Sequence, residues 1–234
     1  MGDVNGDSRG FVLALVGILV IVAGVAFLYS PFFCIQDVII EGSSQLTREE
    51  ILSTIGLIRL QNIFRFDVAN AQARLNSLPQ VHEVEISRKL PNRLIITLRE
   101  RRPVAVLPYA EGFLLVDADG RVLGPAHEPN LPVLNGVPPV TIQVGEILSS
   151  RPAQLGARLA GLFEPELHER LSEINVADLK DIRVLGKGLQ VRFGLGTDLE
   201  LKMDVLTSIL SRIPSGARAT IDLRIPKSPI LEQH

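Results

Sequence analysis

The stretch VEISRKLPNRLIITLRERRPVAV, residues 84–106, alternates apolar with polar side chains on both sides of a Leu90-Pro91-Asn92 turn. Alternation with a period of two is typical of strands with one buried face, so the stretch predicts a β-hairpin. Pro103 has no amide donor and restricts the backbone, and we take it as the start of a second domain. The buried face of the hairpin is expected to carry Val84, Ile86, Leu94, Ile96 and Leu98.

The same stretch holds six basic side chains, which admits three hypotheses: a nucleic-acid patch, a membrane-surface patch, or the solvated face of a strand. With Ile86 opposite Leu94, glutamates of the first strand lie diagonal to arginines of the second, Glu85 to Arg93 and Glu83 to Arg99. Charges compensated in this way release few counterions. The chain also has a net charge of −2, 5% aromatic residues and no Trp, so bases would find little to stack on. We predict a solvated strand face and no nucleic-acid partner.

Arg101 and Arg102 differ from the other basic residues because no acidic residue lies across the predicted hairpin from them. Two alternatives follow for this pair. The two side chains line the boundary between the domains, or they contact a partner.

The residues before the hairpin predict a strand and two helices. Residues 34–40 are rich in β-branched side chains, and Thr47 with Glu50 forms a capping box at the start of a helix. Asp67 is the expected cap of a second helix, which Pro79 ends. The order strand, helix, helix, strand, strand within about 65 residues is a compact α+β unit.

Residues 11–29, FVLALVGILVIVAGVAFLY, carry no charge and are long enough to cross a bilayer core as a helix. A buried core helix would normally keep one polar side. A cleaved signal peptide is a second alternative, because Ala23 to Ala26 are small, but its apolar region is usually shorter. We predict an uncleaved transmembrane anchor with the rest of the chain exported behind it.

The chain after Pro103 predicts a mixed β-domain with two helices. Pro152 opens the first helix, and the second helix carries the apolar stripe Val205, Leu206, Ile209, Leu210 and Ile213. Ala219–Ile225 is the expected last strand, because Ile221, Leu223 and Ile225 share one side. The fold class predicted for the whole chain is α+β.

No pattern of catalytic or metal-ligating residues stands out in the sequence. The four histidines have no ligand spacing, Cys34 is the only cysteine, and the nucleotide-binding and nucleophile-elbow patterns are missing. We therefore predict a protein that is not an enzyme and needs no cofactor or metal.

Several segments together resemble the FtsQ/DivIB family of bacterial cell-division proteins. They are, in chain order, FFCIQDVIIEGSSQLTREEIL, the run NIFRFDVANAQARLNSLPQVHEVEISRKLPNRLIITLRERRPVAV, FLLVDADGRVL, LPVLNG and ATIDLRI. The resemblance implies a short cytoplasmic tail (1–10), an inner-membrane span (11–29), a POTRA domain (34–102), an FtsQ-type β-domain (103–225) and a C-terminal tail (226–234). The body is expected to be periplasmic and located at the division septum.

The family resemblance also implies partners and a site. Such proteins are scaffolds that hold the membrane proteins FtsB and FtsL and through them influence the septal synthase pair FtsW and FtsI. An extended FtsB segment is expected to join an edge strand beside a packed helix, a mode in which unpaired backbone amides supply the affinity. The site residues implied here are Thr220, Ile221, Asp222, Leu223, Arg224 and Ile225 on the strand, with Leu206 and Leu210 on the helix.

This sequence departs from the family pattern in two places. Ile225 stands where an aromatic residue is frequent, and Pro226 and Pro229 follow, which predicts a short or bulged docking site. The cytoplasmic tail is short and has one Arg. Two rival hypotheses are a POTRA-bearing export or assembly component that holds client segments by strand addition, and a membrane-tethered cell-wall hydrolase.

Overall fold

The computed structural model describes residues 4–58, 60–110, 112–128, 130–138, 142–214 and 216–233. The chain divides into two compact units after Glu100, two residues before the boundary expected at Pro103. Its fold is α+β, with an N-terminal apolar helix, a POTRA-like unit and a β-rich unit that carries helices, as predicted.

The N-terminal helix α1 (Val4–Leu28) contains one candidate membrane span, Gly10–Leu28, with a mean hydropathy of 3.1 and 0% of it buried. Nineteen helical residues rise about 28 Å, close to the thickness of a bilayer core. The helix also extends back through most of the predicted tail 1–10, whose residues 1–3 lie outside the described chain. The apolar run is therefore the C-terminal part of a longer helix.

The first unit follows the predicted order of strand, two helices and two strands. Its elements are β1 (Asp37–Glu41), α2 (Arg48–Ile55), α3 (Val68–Asn76), β2 (Val81–Lys89) and β3 (Arg93–Glu100). The sheet order is β1-β3-β2, with β1 parallel and β2 antiparallel to β3. Thr47 and Glu50 form the predicted capping box, and Asp67 caps α3. The predicted buried face of the hairpin is buried in the core.

The register of the hairpin differs from the predicted one by two residues. Ile86 lies opposite Ile96, and the hairpin closes with Lys89 opposite Arg93. The chain reverses within the three residues Leu90-Pro91-Asn92, so the turn is centred on Pro91, whereas the predicted pairing would centre it on Leu90. A shift of two residues keeps every side chain on its predicted face, so the alternation pattern could not detect it.

The observed register also changes the charge pairs. Glu83 lies directly opposite Arg99 and forms an ion pair of 3.2 Å with it, whereas Arg93 pairs with Asp37 of β1 at 3.3 Å. Glu85 faces Thr97. The prediction of a solvated strand face is confirmed, but of the two predicted glutamate–arginine pairs only Glu83–Arg99 forms.

The carboxylate of Glu100, at the end of β3, organises the loop between β1 and α2. It accepts hydrogen bonds from the amides of Ser44, Gln45 and Leu46 at 3.0–3.1 Å and from the hydroxyls of Ser43 and Ser44. Burial raises the pKa of Glu100, but the hydrogen bonds from Ser44, Leu46 and Gln45 outweigh burial and lower the pKa below its usual 4.5.

We expect Glu100→Gln to destabilise the first unit by about 2 kcal/mol near pH 7, because five donors would lose a charged acceptor. A carboxyl with a lowered folded pKa stabilises above its unfolded pKa, and this contribution disappears as pH falls through the folded pKa. The wild type should therefore lose stability on acidification below pH 4.5, and the variant should lose this component. Hydrogen exchange of β3 amides between pH 3.5 and 7 measures both effects. Glu85→Gln is the matched control, and an equal effect in both would contradict the assignment.

The second unit is built on a nine-stranded sheet with the order β12-β11-β10-β9-β8-β7-β4-β5-β6. Its strands are β4 (Pro103–Tyr109), β5 (Gly112–Asp117), β6 (Val122–Ala126), β7 (Val133–Asn135), β8 (Leu171–Asn175), β9 (Ile182–Gly186), β10 (Leu189–Gly194), β11 (Ala219–Asp222) and β12 (Ile230–Gln233). The two predicted helices are α4 (Arg151–Gly161) and α6 (Leu199–Leu210), and a four-residue helix α5 (Pro165–His168) lies between them. Apolar residues of α4 and α6 join those of the sheet in one core.

The end of the chain differs from the expectation. Ala219–Ile225 was expected at the edge of the sheet, but β11 ends at Asp222 and lies between β10 and β12. Residues 226–234 were expected to form a tail, but Ile230–Gln233 form β12 at the edge. The physical reason is a turn from Leu223 to Pro229, whose two prolines interrupt the strand and let the chain return antiparallel to β11.

Candidate partner-binding site

The candidate site is the edge of the second sheet formed by β10, β11 and β12. β10 and β11 are parallel, and β12 is antiparallel to β11 with Leu231 opposite Ile221. All four residues of β12 are exposed, and no strand among the described residues pairs with its outer side. The edge that a partner would meet is therefore β12 rather than β11.

The direction of each backbone group at this edge follows from the pairing. The amide of Ala219 donates to the carbonyl of Gly188, just before β10, at 3.0 Å, and that of Leu223 donates to Arg192 of β10 at 2.8 Å. Thr220 and Asp222 therefore direct their amides towards β12. In the antiparallel register, Thr220 lies opposite Glu232 and Asp222 opposite Ile230. The intervening Leu231 and Gln233 therefore direct their N–H and C=O groups outwards.

The predicted site residues fall into three groups. Leu206, Leu210, Ile221 and Leu223 are buried in the core, so their side chains hold the edge in place rather than face a partner. Thr220 and Asp222 are half-buried between β10 and β12. Arg224 and Ile225 are exposed in the turn beyond β11. The structure thus brings the strand and the helix together, and their binding role stays a prediction.

A row of charged side chains crosses the sheet face opposite α6 and ends near the edge. Arg192 of β10 lies opposite Arg183 of β9 and Asp222 of β11, and Asp181 precedes β9. Arg192 contacts Asp181 at 3.3 Å and Asp222 at 4.0 Å, and Arg183 also contacts Asp181. Three arginines including Arg224 and two aspartates give the row one excess positive charge.

The ionised state of the two aspartates is favoured by their arginine neighbours. The hydrogen bond from Arg183 lowers the pKa of Asp181, and the hydrogen bond from Arg224 (2.6 Å) lowers that of Asp222, in each case against the effect of burial. The same bond to Asp222 raises the pKa of Arg224. Both aspartates therefore carry a negative charge at neutral pH.

A shallow pocket of about 310 Å³ lies beside the edge, between the turn and β12. Apolar side chains of Ile225 and Ile230 meet the charged groups of Asp222 and Arg224 there, with Ser228 completing the lining. Such a pocket next to unpaired backbone groups fits one apolar side chain of an added strand.

Lys202 is a residue of this region that sequence reasoning missed. It is buried on α6, and its Nζ donates to the carbonyls of Phe193 and Leu195, both at 2.8 Å. Burial lowers the pKa of this amine, and Asp198 opposes the effect. The bonds fix the start of α6 against the end of β10. The signal available in the sequence was a basic residue among the apolar residues Leu199, Met203 and Leu206, which share a helix face.

In the structure, Arg101 has two acidic partners that were not predicted from the sequence. Arg101 donates to Asp117 at 2.7 Å and to Asp119 at 3.1 Å, both in the second unit. Arg102 is exposed. Within the described ranges, no group of three His, Cys, Asp or Glu side chains could hold a metal.

Comparison with known proteins covers both units. Residues 33–101 match the family model of the FtsQ-type POTRA domain, and residues 105–224 match that of the FtsQ/DivIB C-terminal domain. Cell division protein FtsQ of Corynebacterium glutamicum is 24% identical over 217 residues, which cover 89% of this chain and 92% of that protein. DivIB of Clostridium botulinum is 24% identical over 86% of this chain and 82% of its own length. FtsQ of Myxococcus fulvus is 26% identical, with 82% and 68% covered. This chain belongs to the FtsQ/DivIB family of cell division proteins.

Proposed function

We propose that the chain is a non-enzymatic, membrane-anchored scaffold of the division machinery. Gly10–Leu28 anchors it in the inner membrane, and the two units lie on the periplasmic side at the septum. There it binds FtsB-like and FtsL-like proteins and through them affects the FtsW/FtsI septal synthase. Support comes from the family and from a candidate span directly before the folded units.

The observation that carries the proposal is the outer side of β12. Leu231 and Gln233 direct backbone donors and acceptors outwards from an exposed strand. An extended segment of an FtsB-like partner would pair with these groups as a tenth strand, and the pocket at Ile225 and Ile230 would accept one of its apolar side chains.

Co-purification of the full chain with an FtsB-like protein from detergent-solubilised membranes tests the proposal, with a chain that stops at Ser228 as the variant. β12 is entirely exposed, so its removal should leave the core intact, and hydrogen exchange of β10 checks this. We expect the shortened chain to lose the partner. Equal or stronger capture would instead make β11 the docking strand, with β12 as a segment that the partner displaces.

A further inference from the structure

The loop between α2 and α3 exposes large apolar side chains in an otherwise well-packed unit. Ile58 is 70% exposed and Leu60 67% exposed, and Phe64 is exposed as well. The same loop buries Ile63 and Phe66 in the core. The exposed side chains therefore belong to a loop that is held in place, and clusters of this kind mark interaction surfaces.

The loop is hydrogen-bonded to the end of the candidate span. The side-chain amide of Asn62 donates to the carbonyl of Leu28, the last residue of α1, at 2.8 Å. Two backbone bonds of 2.9 Å, Ile35 to Gln61 and Ile63 to Phe33, join the loop to the segment after the span. The loop is thus fixed within a few residues of the point where α1 ends.

Aromatic ring contacts join the helix to the loop through the buried Phe33. Phe33 contacts Phe27 of α1 at 5.3 Å and Phe64 of the loop at 5.2 Å between ring centroids. The guanidinium of Arg65 lies 5.8 Å from the centre of the Tyr29 ring. Aromatic and basic side chains at the end of a span are typical of the interface between hydrocarbon and headgroups.

The hairpin turn lies at the same end of the sheet. Arg88 donates to the loop carbonyls of Ile63 and Phe66 at 2.9 and 2.7 Å, and the amide of Gln36 donates to the carbonyl of Asn92. Leu90 is exposed at the tip of this turn. The hairpin turn therefore adds a further exposed apolar side chain at the end of the sheet to which the loop is bonded.

We propose that the loop between α2 and α3 inserts Ile58, Leu60 and Phe64 into the interface of the lipid bilayer that α1 crosses. The occupant is the lipid surface, because the loop that exposes these side chains is fixed to the end of the span by the Phe27–Phe33–Phe64 ring contacts and the Asn62–Leu28 bond. The insertion gives the POTRA unit a second attachment and restricts its rotation about the anchor. This inference rests on the proposed anchoring.

Lipid-dependent fluorescence quenching of the full chain in liposomes tests this inference. An environment-sensitive dye is placed on Leu60→Cys, and in a second sample on Ile58→Cys, in a Cys34→Ser background. His82→Cys is the matched control, since it is exposed at the other end of the sheet, roughly 23 Å along β2 from Lys89. Val20→Cys reports the span itself. Spin-labelled lipids at shallow and deep acyl positions are the quenchers.

We expect shallow quenching of the dyes at 58 and 60 to exceed that at 82 by about twofold, in neutral and anionic vesicles alike. Deep quenching at 20 with equal signals at 60 and 82 would overturn the insertion and leave the anchor standing. Absence of deep quenching at 20 would overturn both. A blue shift at 60 that grows with protein density without lipid quenching would point to a second copy of the chain, and would also overturn the insertion.

Discussion

Leu231→Pro is expected to weaken binding of the proposed FtsB-like partner by ten- to a hundredfold. The proline removes the outward amide of β12, and the partner carbonyl that would have accepted from it loses about 1–3 kcal/mol when left unpaired. The inward amides of Ile230 and Glu232 remain, so β12 stays paired with β11. Proline is tolerated at this position because edge strands accept it where the amide faces solvent.

Leu231→Ala is the matched control for this prediction, because it removes the same side chain and keeps the amide. Titration of a labelled FtsB-like segment onto the detergent-solubilised full chain gives both affinities. The alanine variant should bind closer to the wild type than the proline variant does. Equal losses would mean that the side chain of Leu231, rather than the backbone of β12, carries the interaction. No loss in either would move the site away from this edge.

The sequence predicts the first unit well because its signals are local and agree with one another. The capping box at Thr47, the cap at Asp67 and the alternation around the Leu90-Pro91-Asn92 turn each specify one element. The predicted hairpin register was wrong because a shift of two residues preserves the buried face, and the two pairings differ only in the residue on which the turn is centred.

The site was predicted less completely because strand order in the second unit depends on long-range pairing. The alternation in Ala219–Ile225 identifies a strand but does not say whether another strand will cover it. Ile230 to Gln233 are four residues after two prolines, too short a run to indicate a strand by periodicity. The same segment lies beyond residue 224, where the family match ends. The partner-binding roles of Thr220 to Ile225 accordingly stay predictions.

The sequence did not predict the ion pair between Arg101 and Asp117 of the second unit. The side chains are 13% and 6% exposed, so both charges are largely withdrawn from water. Asp117 also accepts the backbone amides of Asp119 and Arg121 at 3.0 and 2.8 Å, which closes the turn between β5 and β6. One carboxylate therefore joins the start of β4 to the adjacent hairpin.

Asp117→Ala is expected to destabilise the second unit by about 3 kcal/mol, because it removes the buried carboxylate that faces the Arg101 guanidinium and accepts from two backbone amides. Asp119→Ala is the matched control: Asp119 contacts the same guanidinium at 3.1 Å but is exposed, so its loss should cost no more than about 1 kcal/mol.

Hydrogen exchange of the full chain in detergent measures the stability of the two units separately. Amides of β5 and β6 should lose protection in Asp117→Ala, while those of β2 and β3 should not change. Similar losses in the two variants would contradict the burial of this pair. Loss of protection in β10 as well would show that the turn stabilises the whole nine-stranded sheet, including the edge at β12, and would then predict weaker partner binding in Asp117→Ala.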